Sequence, residues 1–168
     1  ELLMIKAVLF DFDGTLIDTN NLIFTSYSKA FNEVLKREIS REEILQLFGR
    51  PLYSSLAVYG DAQDGLYEAY RKYNAENHDL LAKPFPGVYE GIHKLSEMGF
   101  CLGIVTSKRL PFVKRGLEKI IKLQDMFEII VTPDDTEKGK PDPEPILCAC
   151  EKLGILPCEA IYVGDSIF

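Results

Sequence analysis

Residues 7–20, AVLFDFDGTLIDTN, decide the fold and raise the first question about function. Ala7 to Phe10 are a continuous apolar run, which is typical of a parallel strand covered on both faces. Two carboxylates, Asp11 and Asp13, follow this run directly. Crowding negative charge at the end of a buried strand costs free energy unless something compensates it. The stretch therefore predicts a central strand and a positive charge at its carboxyl end.

Three later apolar runs repeat this pattern: CLGIV at 101–105, FEIIV at 127–131 and AIYV at 160–163. Segments with helical spacing of apolar residues lie between the runs. One of these ends at Gly99, one begins near Pro111, and one begins near Pro143 and ends at Gly154. The alternation predicts an α/β fold with a doubly wound, Rossmann-like parallel sheet and right-handed crossovers.

Residues 16–85 interrupt the alternation, because they contain no convincing strand. Four helical patterns are expected there, at 22–35, at 44–48 behind a capping box of Ser40 and Glu43, at 54–59 and at 65–77. We interpret 16–85 as an inserted helical cap domain, and residues 1–15 plus 86–168 as the core domain. The exit, KPFPG at 83–87, is a stiff linker, and two narrow crossings predict a hinge.

Composition and charge limit the partners of this 168-residue chain. Acidic side chains outnumber basic ones by 26 to 19, so the net charge of −7 gives no general attraction to nucleic acid or anionic lipid. The four cysteines form no C-x-x-C pair, which argues against structural zinc. We find no signal peptide or membrane-length apolar run, and we expect a cytoplasmic monomer or weak homodimer.

Polar residues follow each predicted strand of the sheet. In an open parallel sheet, ligands bind beyond the carboxyl ends of the strands. We therefore expect one rim to gather Asp11, Asp13, Gly14 and Thr15 from the first strand, Thr106, Ser107 and Lys108 from the second, Lys140 from the third and Asp165 from the fourth. The rim combines acids, hydroxyls and lysines.

The size of the electrostatic repulsion between these acids favours a divalent cation among them. Two like charges ~4 Å apart cost about 4 kcal/mol at an effective dielectric constant of ~20. One lysine does not offset three carboxylates, whereas Mg²⁺ takes oxygen ligands and adds a substrate phosphate. We expect Asp11, Asp165 and the backbone carbonyl of Asp13 to hold Mg²⁺.

The same positions predict phosphoryl transfer. A carboxylate fixed by a strand end is a competent nucleophile toward phosphorus, so Asp11 is expected to form an aspartyl-phosphate. Asp13 is expected to give a proton to the leaving group and to take one from water. The phosphoryl oxygens are expected to meet backbone N–H groups at 12–15 and near Ser107, the Thr106 hydroxyl and Lys140. Arg50 and Lys108 are further candidates for contact with an anionic substrate.

The sequences DFDGT, VTSK, KGKPDP and VGDS, in this order, resemble the four motifs of the haloacid dehalogenase superfamily phosphatases. The helical insertion resembles the cap that this superfamily carries between its first and second motifs. The resemblance implies Asp11 as nucleophile, Asp13 as acid and base, Thr106 and Lys140 as phosphate contacts, and Asp165 as a metal ligand.

A narrower resemblance rests on LFGRPL, YRKYNAENHDLL, GVYEGIHKL and KPDPEPIL, which are similar to a bacterial pyrophosphatase and phosphoglycolate phosphatase subfamily. It implies pyrophosphate as the substrate, with a small phosphomonoester such as phosphoglycolate second. The family usually carries a further aspartate and a last helix and strand after its fourth motif. Because the sequence stops at Phe168, we expect the C-terminal part of the core to be missing.

Two alternatives stay open at this point. A receiver-like phosphoacceptor module also gathers acids, a hydroxyl and a lysine at the rim of a parallel sheet. A sugar phosphomutase of the same superfamily would transfer phosphate within a sugar instead of to water. The acid at Asp13 and the helical insertion argue against the receiver.

Overall fold

The computed structural model describes residues 4–48 and 51–166. In chain order the strands are β1 (Ala7–Phe10), β2 (Ile17–Asp18), β3 (Lys83–Pro84), β4 (Cys101–Val105), β5 (Ile129–Val131) and β6 (Ala160–Val163). The α-helices are α1 (Asn20–Leu35), α2 (Arg41–Leu47), α3 (Leu52–Ser55), α4 (Gln63–Leu81), α5 (Val88–Glu97), α6 (Leu110–Leu117) and α7 (Glu144–Leu153). Shorter 3₁₀ segments cover Leu56–Ala62, Glu118–Met126 and Pro157–Glu159.

Four strands form one parallel sheet in the order β5-β4-β1-β6, which confirms the predicted α/β class. From β1 the chain builds outward through β4 and β5, and then returns to the opposite side of β1 for β6. The order of strands therefore reverses between β1 and β6, next to Asp11. Such a switch point leaves a crevice beyond the strand ends, where ligands bind in folds of this type.

The strand bounds agree with the predicted runs except at β5. The run at 127–131 becomes a strand only from Ile129, because the Phe127 N–H donates to the Gln124 carbonyl of the preceding turn (3.4 Å). The helix predicted to begin near Pro111 is short. It ends at Leu117 and continues as a 3₁₀ segment with a kink at Ile120 (φ −125°, ψ 39°).

Helix α7 covers one face of the sheet. Leu9, Val105 and Val131, one from each of three strands, pack against Ala149 and Cys150 of that helix, and all five are buried. Burial of a side chain of this size contributes about 1.5–3 kcal/mol relative to exposure. This packing holds the ends of β1, β4 and β5 at a common level.

Residues Thr19–Ala82 form a separate helical unit. Its core contains the fully buried Phe31, Leu56 and Leu66. The predicted capping box begins α2, where the Ser40 hydroxyl accepts the Glu43 N–H (3.1 Å). The helix expected at 54–59 is instead α3 followed by a 3₁₀ segment with non-helical backbone at residue 60.

The expectation that 16–85 contains no strand is wrong. β2 and β3 pair antiparallel, with Ile17 opposite Pro84 and Asp18 opposite Lys83, where the chain leaves and re-enters the sheet-bearing unit. The two crossings hydrogen-bond to each other, so these residues belong to the unit of 4–18 and 83–166. The boundaries between the two units lie at 18/19 and 82/83. The helical unit is therefore shorter at each end than the predicted 16–85. Among the described helices, none has both the length and the apolar composition that a membrane crossing requires.

Candidate active site

Asp11 and Asp13 lie in the tight loop that follows β1, with Phe12 between them. The Phe12 ring between them is fully buried and lies against Gly116 of α6. The Phe12 carbonyl accepts the N–H groups of Leu16 and Ile17 (both 3.0 Å), which closes the loop. With Phe12 anchored in the core, the adjacent positions of Asp11 and Asp13 project toward the rim instead.

Asp11 is held at the centre of this rim. Its Oδ2 lies 2.7 Å from Nζ of Lys140, and its Oδ1 accepts the Phe12 N–H at 2.7 Å. Its own N–H donates to the Val163 carbonyl at the end of β6 (2.8 Å). Both side chains of the ion pair are largely buried, with 9% of Lys140 and 14% of Asp11 exposed. Lys140 therefore supplies one of the positive charges that the sequence predicts at the end of β1.

Asp13 has a different cationic partner. Nζ of Lys108 lies 2.7 Å from Oδ1 of Asp13 and 5.5 Å from the centre of the Phe12 ring. The Lys108 N–H donates to the hydroxyl of the buried Thr106 (3.1 Å), whose own N–H donates to the Val131 carbonyl (3.0 Å). The end of β4 thus brings a lysine and a threonine hydroxyl to the loop that follows β1.

Asp165 adds a third carboxylate beside these two. A Cβ on Gly14 would collide with the Asp165 carboxylate, so that carboxylate lies directly over the glycine backbone. Loss of hydration and then the negative charges of Asp11 and Asp13 raise the pKa of Asp165, although Lys140 acts in the opposite direction. The rim therefore brings a third carboxylate next to the two that pair with Lys140 and Lys108.

The donor chemistry of this cluster fits a hard divalent cation. Asp11, Asp13 and Asp165 offer carboxylate oxygens, although Asp11 is also paired with Lys140 and Asp13 with Lys108. Within residues 4–48 and 51–166, no group of three Asp, Glu, His or Cys side chains forms a ready cage for a metal. Mg²⁺ does not require such a cage, since it commonly takes one or two carboxylates, waters and a substrate phosphate.

The remaining predicted residues differ in their surroundings. The Thr15 hydroxyl is buried and has no hydrogen-bond partner among the described residues, a state that costs about 1–3 kcal/mol unless a ligand relieves it. Ser107 is exposed next to Thr106. Arg50 lies outside the described residues. The structure therefore brings together the predicted acids, Thr106, Lys108 and Lys140 in one unit, and leaves Arg50 untested.

Tyr162 is a site residue that sequence reasoning missed. Its hydroxyl accepts a hydrogen bond from Lys140 Nζ (2.7 Å) and donates to the Val105 carbonyl (3.3 Å). Burial, followed by the charges of Asp11 and Asp165, raises the pKa of Tyr162 far above its usual value. The one available signal was a tyrosine within the apolar run AIYV, three residues before Asp165.

Comparisons with known proteins show the family and the fold of this chain. Residues 8–168 match the family model described as haloacid dehalogenase-like hydrolase. Pyrophosphatase PpaX of Bacillus pumilus is 44% identical over 163 residues, which span 96% of this chain and 75% of the relative. A haloacid dehalogenase-like hydrolase from Streptococcus pneumoniae has a TM-score of 0.84 and 25% identity, covering 97% of this chain and 77% of that one. A predicted phosphoglycolate phosphatase from Haemophilus somnus, at 22% identity, shares the fold (TM-score 0.85, covering 98% and 79%).

Proposed function

We propose that this chain, which belongs to the haloacid dehalogenase-like hydrolase family, is a Mg²⁺-dependent phosphohydrolase that forms an aspartyl-phosphate. It is a phosphatase-type hydrolase, because it belongs to this hydrolase family and resembles proteins named pyrophosphatase PpaX. Pyrophosphate is the leading substrate, since two proteins named pyrophosphatase PpaX are 41% and 44% identical to this chain. A small phosphomonoester such as phosphoglycolate comes second.

The observation that carries this proposal is the fixed carboxylate of Asp11. A strand end, the Phe12 N–H and Lys140 hold it from three directions, so its orientation is set before substrate binds. Preorganised groups of this kind lower the barrier because they need not be ordered during the reaction.

The reaction has two steps. In the first, an Asp11 oxygen bonds to phosphorus, the bond from phosphorus to the leaving oxygen breaks, and Asp13 donates a proton to that oxygen. In the second, water attacks the phosphorus and gives its proton to Asp13. The bond between phosphorus and Asp11 then breaks, inorganic phosphate leaves, and both aspartates return to their starting states.

Asp11 and Asp165, with the backbone carbonyl of Asp13, would hold the metal ion. When bound, Mg²⁺ would neutralise charge on the phosphoryl oxygens and on the carboxylates. The position of the Asp165 carboxylate against the Gly14 backbone supports this assignment, because it brings a third carboxylate to the loop that carries Asp11 and Asp13.

The other polar groups of the rim would bind substrate. The Thr106 hydroxyl, the backbone around Gly14 and Ser107, and the buried Thr15 hydroxyl are proposed to contact the phosphoryl oxygens. Lys108 pairs with Asp13, the group proposed to protonate the leaving oxygen, so it lies on the leaving-group side. A leaving group that is itself anionic, such as phosphate or glycolate, suits that position. Arg50 remains a candidate for the same role.

The net charge of −7 argues against nucleic acid as a partner, and a small anionic substrate would depend on the local positive charges of the rim. A cytoplasmic location and a monomeric or weakly dimeric state remain predictions.

The variant Asp11→Asn tests the nucleophile. We expect it to fold and to lose phosphate release from pyrophosphate and from phosphoglycolate by more than about a thousandfold, because an amide does not form the acyl phosphate. The matched control is Asp135→Asn, which breaks a lysine ion pair of 2.6 Å in the same unit and should keep turnover. Circular dichroism verifies folding, and full activity in Asp11→Asn would contradict the proposal.

The same assay separates the alternatives. Release of many phosphates per chain is expected of a phosphohydrolase, whereas one stable phosphorylation event would indicate a receiver-like module. Transfer of phosphate to a sugar, without release to water, would indicate a phosphomutase.

A further inference from the structure

We propose that Tyr162 is a positioning residue that keeps Lys140 at the Asp11 carboxylate while the phosphoenzyme is hydrolysed. This inference rests on the proposed two-step function and assigns a part of its second step. It concerns the hydroxyl of Tyr162, which joins the ends of three strands.

The hydrogen-bond donors of Lys140 can be assigned. An ammonium group has three donors. One N–H of Lys140 points to Oδ2 of Asp11, which lies 2.7 Å from Nζ. A second N–H donates to the Tyr162 hydroxyl oxygen, also 2.7 Å from Nζ. The third donor remains for a phosphoryl oxygen. With two directions fixed, the third is determined as well, so Tyr162 sets where Lys140 points.

The Tyr162 hydroxyl is itself firmly held. Its proton is directed to the Val105 carbonyl at the end of β4 (3.3 Å) or to the neighbouring Asp11 carboxylate, and in either case its oxygen accepts from Lys140. The aromatic ring lies 5.3 Å from the Lys140 nitrogen and packs against Gly164.

The two steps differ in how much they depend on this hydroxyl. Before the first step, Asp11 is a full carboxylate and attracts Lys140 by its own charge. Once Asp11 is esterified, that charge has moved to the phosphoryl oxygens, and the ion pair no longer holds the ammonium group beside Asp11. The contact with Tyr162 is unaffected by esterification and remains as the anchor.

The second step needs Lys140 at its original place. As water bonds to phosphorus and its proton passes to Asp13, the bond between phosphorus and Asp11 breaks and its electron pair returns to Asp11. Negative charge therefore develops on the Asp11 oxygen, and an ammonium group fixed within hydrogen-bond distance stabilises it. Tyr162 thus accelerates the second step, in which phosphorus leaves Asp11, more than the first step, in which Asp11 attacks phosphorus.

The variant Tyr162→Phe isolates the hydroxyl, because it keeps the ring and its packing. The probe is radiolabelled p-nitrophenyl phosphate with Mg²⁺, whose nitrophenolate release reports the first step. Acid quenching at steady state then measures the ratio of phosphoenzyme to free enzyme. That ratio equals the rate constant of formation at the substrate concentration used, divided by the rate constant of hydrolysis. We expect it to rise about tenfold, the effect of losing one hydrogen bond to a charged group.

Tyr89→Phe is the matched control, since the Tyr89 hydroxyl donates to the Lys119 carbonyl (3.2 Å) away from the rim. It should leave the phosphoenzyme ratio unchanged. An equal rise in both variants, or no rise in Tyr162→Phe, would contradict the role of Tyr162 while wild-type turnover still supports the proposed function. A wild-type chain that releases neither product would contradict the function itself. If Tyr162→Phe does not fold by circular dichroism, Tyr162→Met replaces it with the same expectation.

Discussion

Gly14 is the residue at which two requirements of the site coincide. Its φ of +79° lies in the left-handed region, which side chains with a Cβ rarely adopt. The space that a Cβ would occupy is filled by the Asp165 carboxylate. Glycine therefore both allows the turn after β1 and lets a third carboxylate approach the backbone beside the first two.

We expect Gly14→Ala to weaken Mg²⁺ binding, because the new methyl group displaces Asp165 from its position. The Mg²⁺ concentration for half-maximal phosphate release should rise by about tenfold or more, which corresponds to a loss of about 1.4 kcal/mol of binding free energy. Titration of phosphate release with Mg²⁺ measures this change.

Gly99→Ala is the control for backbone strain alone. Gly99 has a similar φ of +84°, but a Cβ there meets no atom within 4 Å. Both variants should lose about 1 kcal/mol of unfolding free energy, and only Gly14→Ala should change the Mg²⁺ requirement. Equal Mg²⁺ titrations in the two variants would show that Asp165 does not take part in metal binding.

Helix α6 packs closely against the loop that carries Asp11 and Asp13. A Cβ at Gly116 would lie 2.5 Å from the Phe12 ring, so the helix approaches the ring more closely than any residue with a side chain allows. Because Phe12 stands between Asp11 and Asp13, a shift of its ring would move both carboxylates.

Gly116→Ala is therefore expected to reduce stability and activity together. Overpacking of this kind costs about 1–3 kcal/mol of unfolding free energy, which urea denaturation measures, and turnover per folded chain should fall as well. Gly91→Ala in α5 is the matched helical control, since a Cβ there meets nothing within 4 Å. Its unfolding free energy should rise by up to about 1 kcal/mol because alanine favours helix over glycine. A Gly116→Ala variant with normal stability and turnover would show that the Phe12 ring moves without affecting the aspartates.

At the scale of the whole molecule, each of the two compact units has its own apolar core. Leu66 belongs to the core of the helical unit, and Leu9 belongs to the cluster that joins the sheet to α7. Both leucines are fully buried. Units with separate cores can open separately, so a single unfolding free energy does not describe such a chain.

The pair Leu66→Ala and Leu9→Ala tests this division. Each substitution removes the same atoms and should cost about 2.7–5 kcal/mol in its own unit. Hydrogen exchange followed by mass spectrometry should show faster exchange of residues 19–82 in Leu66→Ala, and of residues 4–18 and 83–166 in Leu9→Ala. Equal increases throughout the chain in both variants would mean that the two units unfold as one.

Several features of the fold were accessible from the sequence because they depend on local patterns. The bounds of β1, β4 and β6 follow from apolar runs, and α7 follows from Pro143 and Gly154. The pair β2 and β3 was not predictable in this way. Each strand has two residues, and their pairing depends on where the ends of a long insertion meet.

The sequence by itself determined the α/β class, the succession of strands along the chain and the identity of the polar residues that follow them. These depend on periodicity and chain order, which are local or topological properties. Only the tertiary structure decided which charges pair, namely Lys108 with Asp13, 95 residues apart, and Lys140 with Asp11 and Tyr162, the latter 22 residues away. The reason is physical: distances between side chains at the rim depend on strand register and loop packing across the sheet, and no spacing along the chain encodes them.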